Sequence, residues 1–135
     1  MSIKRKPWWI RLFVADWRWI TITPNIYAAD IYWTGPGPQW QPLIAHEYVH
    51  LARQQERGFW SWAWRYLTDD DFRLMEEARG MAVEIEETTD TERKLFLLDD
   101  YSKQLCAGYM HAAASPGVAR AAIAQFLNLK ADPNG

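Results

Sequence analysis

The pentad His46-Glu47-Tyr48-Val49-His50 constrains this chain more than any other stretch. In a helix of 3.6 residues per turn, His46 and His50 fall one turn apart on one face, where two imidazoles can close on a single ion. Glu47 then lies beside that face. Hydrolytic zinc chemistry asks for such a set: two neutral nitrogen ligands, and a carboxylate that takes a proton from metal-activated water without ligating the metal. The segment is therefore expected to be helical, with His46 and His50 as metal ligands and Glu47 as general base. The competing expectation is a helix whose histidines only cap or pack.

Length and charge narrow what can surround this motif. A chain of 135 residues is expected to form a single domain, residues 1–135, around one modest core. A formal charge of −2 makes no electrostatic case for nucleic acid as a partner. Cys106 stands alone, so neither an internal disulfide nor a paired-cysteine zinc site is available. The basic start is followed by an apolar run broken by Arg11, Asp16 and Arg18, too short for a membrane span and lacking a small-residue cleavage site. An unprocessed soluble protein, cytoplasmic or phage-associated, is the expectation. The nine tryptophans supply large apolar area with few rotatable bonds, and are expected in the core and at its rim. Trp8 and Trp9, next to Lys4, Arg5 and Lys6, also fit a peripheral membrane contact.

Residues 17–23, aromatic and β-branched, read as a strand, and 26–33 as a second, weaker one after the Pro24-Asn25 turn. The run 34–38 is a Gly/Pro loop. Pro42 suits the first turn of a helix that carries the pentad towards Gly58. Past Gly58, Trp60, Trp64 and Leu67 fall at helical spacing and predict a short packing helix. A helix over about 70–87 should bury Leu74, Ala78, Met81, Ala82 and Ile85. Thr89 and Glu92 have capping-box spacing for a helix over about 91–106, lined by Leu95, Leu98, Ser102 and Leu105 and ended near Gly108. Ser115-Pro116 starts a last helix reaching about residue 129, with Val118, Ile123, Phe126 and Leu127 as contacts, and 131–135 is a tail. The class expected is α+β: a small N-terminal antiparallel sheet followed by a helical core.

Two histidines do not complete a catalytic zinc site, which needs a third protein ligand and an open position. A third histidine six residues after His50 is ruled out, because Glu56 stands there and Arg53 replaces the glycine of that arrangement. The better source is the stretch Met75-Glu76-Glu77-Ala78-Arg79-Gly80-Met81, where small residues let one helix approach another. At about 100° per residue, Glu77 lies roughly 100° from the centre of the apolar stripe and Glu76 roughly 160°. Glu77 thus borders the buried face and is favoured as ligand, Glu76 points to solvent, and Glu84 is a third possibility.

With these residues in hand a resemblance can be stated. The order of strand pair, His-Glu-x-x-His helix, aromatic connection and glutamate-bearing helix resembles the gluzincin metallopeptidases, of which thermolysin is the best known. In length, and in the phrase 43–54, LIAHEYVHLARQ, the chain is most similar to the small bacterial and phage members called minigluzincins. The resemblance covers residues 20–86. It implies one Zn2+ held by His46, His50 and Glu77, with Glu47 as general base in the hydrolysis of a peptide bond, and a peptide or protein as substrate, more as an endopeptidase than an exopeptidase. Many members place an acid four residues after the glutamate ligand to orient a ligating histidine. Met81 stands there, so the orienting group is expected from Glu84 or Asp30.

Two further expectations concern the substrate. Either strand could take a peptide as an added strand, and Tyr101, Tyr109 or His111 could donate to a developing oxyanion, Tyr109 and His111 being the catalytic candidates besides Glu47. Small members of this group can be latent. The alternative function is therefore a zinc-stabilised binding or structural protein, and a third is hydrolysis of another amide such as a peptidoglycan cross-link.

Overall fold

The computed structural model describes residues 2–12, 14, 18–28 and 38–127. The sequence expectations for Trp17, Asp30 and Trp33, for the loop at 34–37 and for 128–135 lie outside them.

Strand β1 (Ser2–Arg5) and a single turn α1 (Trp8–Arg11) precede strands β2 (Ile20–Ile22) and β3 (Asn25–Ala28). A 3-10 turn, Pro38–Trp40, then leads into α2 (Gln41–Arg57), α3 (Phe59–Thr68), α4 (Asp70–Glu87), α5 (Thr91–Ala107) and α6 (Pro116–Phe126). The architecture is α+β, mostly helical. Its sheet, however, is mixed rather than antiparallel. β2 and β3 pair antiparallel across the Pro24 turn, with Thr21 opposite Ile26, whereas β1 joins β3 in parallel, with Ile3 also opposite Ile26. Ser-Ile-Lys-Arg is too short and too charged to read as a strand, and β3 runs parallel to it because the β2–β3 hairpin reverses the chain a second time. The order β1-β3-β2 leaves β3 central, so only β2, of the two strands first considered for substrate addition, lies at an edge.

Local chemistry explains the helix limits. Gly58 joins α2 to α3 at φ 81°, a conformation that costs a side-chain-bearing residue, although no atom lies within 4 Å of where its Cβ would be. Asp69 caps α4 by accepting from the Phe72 amide at 3.0 Å. Ser115 caps α6 by accepting from the Val118 amide at 3.2 Å. For α5 the cap is Asp90, which accepts from the Glu92 amide at 3.2 Å, and not the capping box expected from Thr89.

α4 is the central helix. Leu74, Ala78, Met81, Ala82 and Ile85 are all buried as its spacing predicts, packed with Leu97 and Leu105 of α5 and Ala119, Ala122 and Ile123 of α6. Each of the larger side chains contributes roughly 1.5–3 kcal/mol by leaving water. Two expected contacts fail: Leu95 and Val118 are exposed, because neighbouring Leu97 and the small Ala119 and Ala122 fit the close α5–α6 packing. The tryptophans depart further. Of the seven described, only Trp62 is buried. Trp60, Trp64 and Leu67 turn outward because α3 carries a second apolar strip, and Trp62 and Tyr66 on that strip can satisfy their polar ends against α4. No described helix is long and apolar enough to cross a membrane.

Between α5 and α6 the residues Tyr109, Met110 and His111 all adopt positive φ, 51°, 55° and 53°. Left-handed backbone costs about 1–2 kcal/mol per such residue, so something must hold it. Arg73, buried in α4, donates from Nε to the Tyr109 carbonyl at 2.8 Å and from Nη1 to the Tyr66 carbonyl at 2.7 Å, with Asp70 pairing to its other end.

Candidate metal centre

α2 works through two faces. Towards the sheet it presents Glu47 and, two turns on, Gln54. The Thr21 hydroxyl donates to Glu47 Oε2 at 2.7 Å, and buried Gln54 clips the β2–β3 turn by donating to the Thr21 carbonyl at 2.9 Å and accepting from the Thr23 amide at 3.0 Å. Towards α4 it presents His46, His50 and Arg53. The chain thus holds Glu47 from the strand side while both imidazoles face the acidic helix.

Across that interface His46 Nε2 lies 3.0 Å from His50 Nε2, Glu77 Oε2 lies 3.4 Å from His46 Nε2, and Glu77 Oε1 lies 3.5 Å from His50 Nε2. His46, His50 and Glu77 are the group among the described residues whose donor atoms converge within 4.8 Å, all three buried. Four-coordinate zinc with these ligand types separates neighbouring donors by about 3.3 Å, so the residues fit a metal ion at their centre. Glu47 is close by but outside the trio.

The partners of the trio matter as much as the trio. His46 Nδ1 lies 3.0 Å from Glu84 Oε2; an ionised carboxylate only accepts, so Nδ1 carries a hydrogen, and Nε2 faces the centre, where it would ligate once its own proton is displaced. The Tyr101 hydroxyl donates to the other oxygen of Glu84. The Tyr66 hydroxyl donates to Glu77 Oε1 at 2.6 Å. Gly80 completes the fit: a Cβ there would stand 2.4 Å from His46 Cδ2, so glycine lets the ring lie flat against α4. His50 Nδ1 is buried with no hydrogen-bond partner.

The charges balance without a metal only by holding a proton. Burial alone would lower the His46 pKa, but Glu77 and Glu84 outweigh it and raise it to about 10. Burial alone would raise Glu77, yet His50 and His46 beside it drive its carboxyl far below the usual range. Burial, and then Glu77, push the Tyr66 hydroxyl well above its ordinary value, so it remains a donor. A cation held between the three groups would take the place of that proton.

The other candidates distribute unevenly. Glu76, expected in solvent, is 1 % exposed: Arg53 Nε donates to it at 2.9 Å and Trp62 Nε1 at 3.1 Å. The apolar stripe of α4 locates one buried side, and its opposite side is buried through polar partners that periodicity does not register. Tyr109 lies within electrostatic reach of Glu77. Burial, Glu77, Glu47 and Glu84 raise its hydroxyl well above the ordinary value, while Arg18, over its ring at 5.2 Å, pulls the other way. His111 is exposed and donates from Nδ1 to the Cys106 carbonyl at 2.6 Å, a cap on the end of α5 outside the ligand trio. Thr21, Gln54 and Tyr66 were not anticipated; the only trace of Tyr66 in the sequence is its position one helical turn after Trp62.

Compared with protein-family models, with curated proteins and with solved structures, the chain matches none. The chemistry open to the centre follows from its own donor set: two nitrogens and one carboxylate oxygen suit zinc and neighbouring first-row ions, with a fourth position left for an oxygen donor.

Proposed function

We propose that this chain is a small gluzincin-type zinc peptidase in which His46, His50 and Glu77 hold the ion and Glu47 is the general base. The observation that carries the proposal is the convergence of the three donors while Glu84 holds the hydrogen on the far nitrogen of His46. Bound zinc supplies Lewis acidity and a water acidified towards neutrality. With the ion held by His46, His50 and Glu77, Glu47 would be the group that accepts a proton from the attacking water and hands it to the leaving amine nitrogen. Thr21, donating to Glu47, keeps the carboxylate turned to the strand side of the centre. β2, the edge strand that contributes Thr21, is where an extended peptide adds to the sheet and comes to lie beside Glu47. A hollow of about 260 Å³ lined by Leu43, Glu84, Leu97 and Tyr101 among others offers room for one side chain. Tyr109 is the donor assigned to the developing oxyanion, since burial and the field of Glu77 keep its hydroxyl protonated.

Glu47→Gln tests the assignment. Folding and zinc content should persist while cleavage of a fluorogenic peptide library falls about a hundredfold or more; unchanged cleavage removes Glu47 from the mechanism. One observation favours a second reading, a latent or zinc-stabilised structural protein: His46, Glu47, His50 and Glu77 are each 4–6 % exposed. One zinc per chain, a large rise in Tm on loading and no cleavage of any peptide would select it.

A further inference from the structure

The outward strip of α3 is unexplained by the metal centre. Trp60, Trp64 and Leu67 are 82 %, 70 % and 63 % exposed and, at spacings of four and three, form one continuous line along the helix. Monomeric proteins seldom leave two neighbouring indoles in water. An indole pairs an apolar ring with one polar N–H, which suits it to the headgroup level of a bilayer.

Beside the strip the surface turns basic. Arg57 and Arg65 lie over the Phe72 ring at 5.4 and 4.4 Å and, with Arg53 and Arg79, line a hollow of about 290 Å³. Asp69, Asp71 and Glu76 line it too, leaving four arginines against three carboxylates; Glu76 is saturated by Arg53 and Trp62, and Asp69 sits 3.6 Å from Arg65. Arg57 and Arg79 have no ion-pair partner among the described residues; Arg79 stacks over the Phe126 ring at 4.5 Å, and its Nε is buried without an acceptor. A net charge of −2 gives the whole chain no attraction to an anionic surface, so the attraction is local to this hollow.

We propose that the α3 strip and the arginine hollow together form a docking surface for an anionic membrane, with Trp60, Trp64 and Leu67 at headgroup depth and a lipid phosphate on Arg57 and Arg79. The contact is peripheral, since no described helix can span a bilayer. A second copy of the chain fits this face less well. The three side chains expose on the order of 500 Å², below the roughly 800 Å² per partner of a stable interface. A two-fold contact would also bring each arginine hollow towards its own copy.

Co-sedimentation of the full chain with vesicles of phosphatidylcholine, alone or with about 30 mol% phosphatidylglycerol, tests this at low salt. The chain should pellet with the anionic vesicles and be released by added salt. Trp60→Ser with Trp64→Ser should weaken binding at least about tenfold with the thermal unfolding curve unchanged, because both indoles are exposed. Arg57→Gln, alone or with Arg79→Gln, should bring binding to anionic vesicles down towards the neutral level. Failure of the chain to pellet, equal pelleting of the tryptophan variant, or binding of inorganic phosphate without vesicles would overturn the proposal. So would light scattering that shows a dimer dissociated by the tryptophan variant.

Discussion

Gly80 and His46 are in direct van der Waals register: a Cβ on Gly80 would come within 2.5 Å of His46 Nε2, the nitrogen that faces Glu77 and His50. The absence of a side chain at one position of α4 is thus what sets the imidazole of α2 in place. Gly80→Ala is expected to push the ring out of line and lower stability by about 1–3 kcal/mol through overpacking. Zinc titration of the folded variant should show weakened binding; wild-type affinity would mean that the ring does not have to lie flat on α4.

Glu84 acts on the centre through His46 Nδ1 and is itself held by Tyr101. Glu84→Gln keeps the shape but removes the ionised acceptor, so zinc affinity should fall by about 10–100-fold, with a smaller loss for Tyr101→Phe. Competition against a chromogenic chelator measures both. Unchanged affinity in Glu84→Gln would separate Glu84 from the orientation of the ligand.

The pH dependence of the metal-free protein follows from the same contacts. His46 has its folded pKa raised from 6.5 to about 10, so its contribution is complete below 6.5 and is lost as pH rises towards 10. Glu77 is depressed below 4.5, so its contribution is complete above 4.5 and is lost only as pH falls through its lower folded value. Both shifts describe one shared set of contacts and do not add. Urea unfolding in chelator should show stability declining between about pH 6.5 and 10. With zinc in place of the proton that alkaline decline should shrink, and a flat profile in chelator would count against the buried imidazolium.

Arg53 and Glu76 tie α2 to α4 through a carboxylate only 1 % exposed. Removing the cation alone, in Arg53→Met, leaves that charge uncompensated and should cost about 3–5 kcal/mol. Adding Glu76→Gln in the same chain should recover most of the loss. Chemical denaturation of the two variants decides; an additive double variant would show that the pair is not energetically coupled.

The apolar spacing of α4 was legible because one side of that helix meets only hydrocarbon, and Leu74, Ala78, Met81, Ala82 and Ile85 are buried where the period puts them. The extent of α2 was legible for a different reason, a proline at its start and a glycine at its end. α3 was misread because Trp60, Trp64 and Leu67 obey the same period as Trp62 and Tyr66, and a period cannot choose between two apolar strips. β1 was missed because four residues, half of them basic, carry no alternation, and its parallel pairing is made by a partner twenty-odd positions away.

Spacing along the chain was enough to bring His46 and His50 to one helix face and to set Glu47 beside them, since one helical turn is a local property. It also singled out Glu77 among neighbouring acids as the one bordering a buried face. Only the packing of α2 on α4 decided that Glu76 is buried against Arg53 and Trp62, that Glu84 turns His46, and that Gly80 makes room for the ring. Those are relations between side chains 14 to 38 positions apart, and they depend on which helix faces meet, a choice made by the close fit of the whole interface rather than by any residue in it.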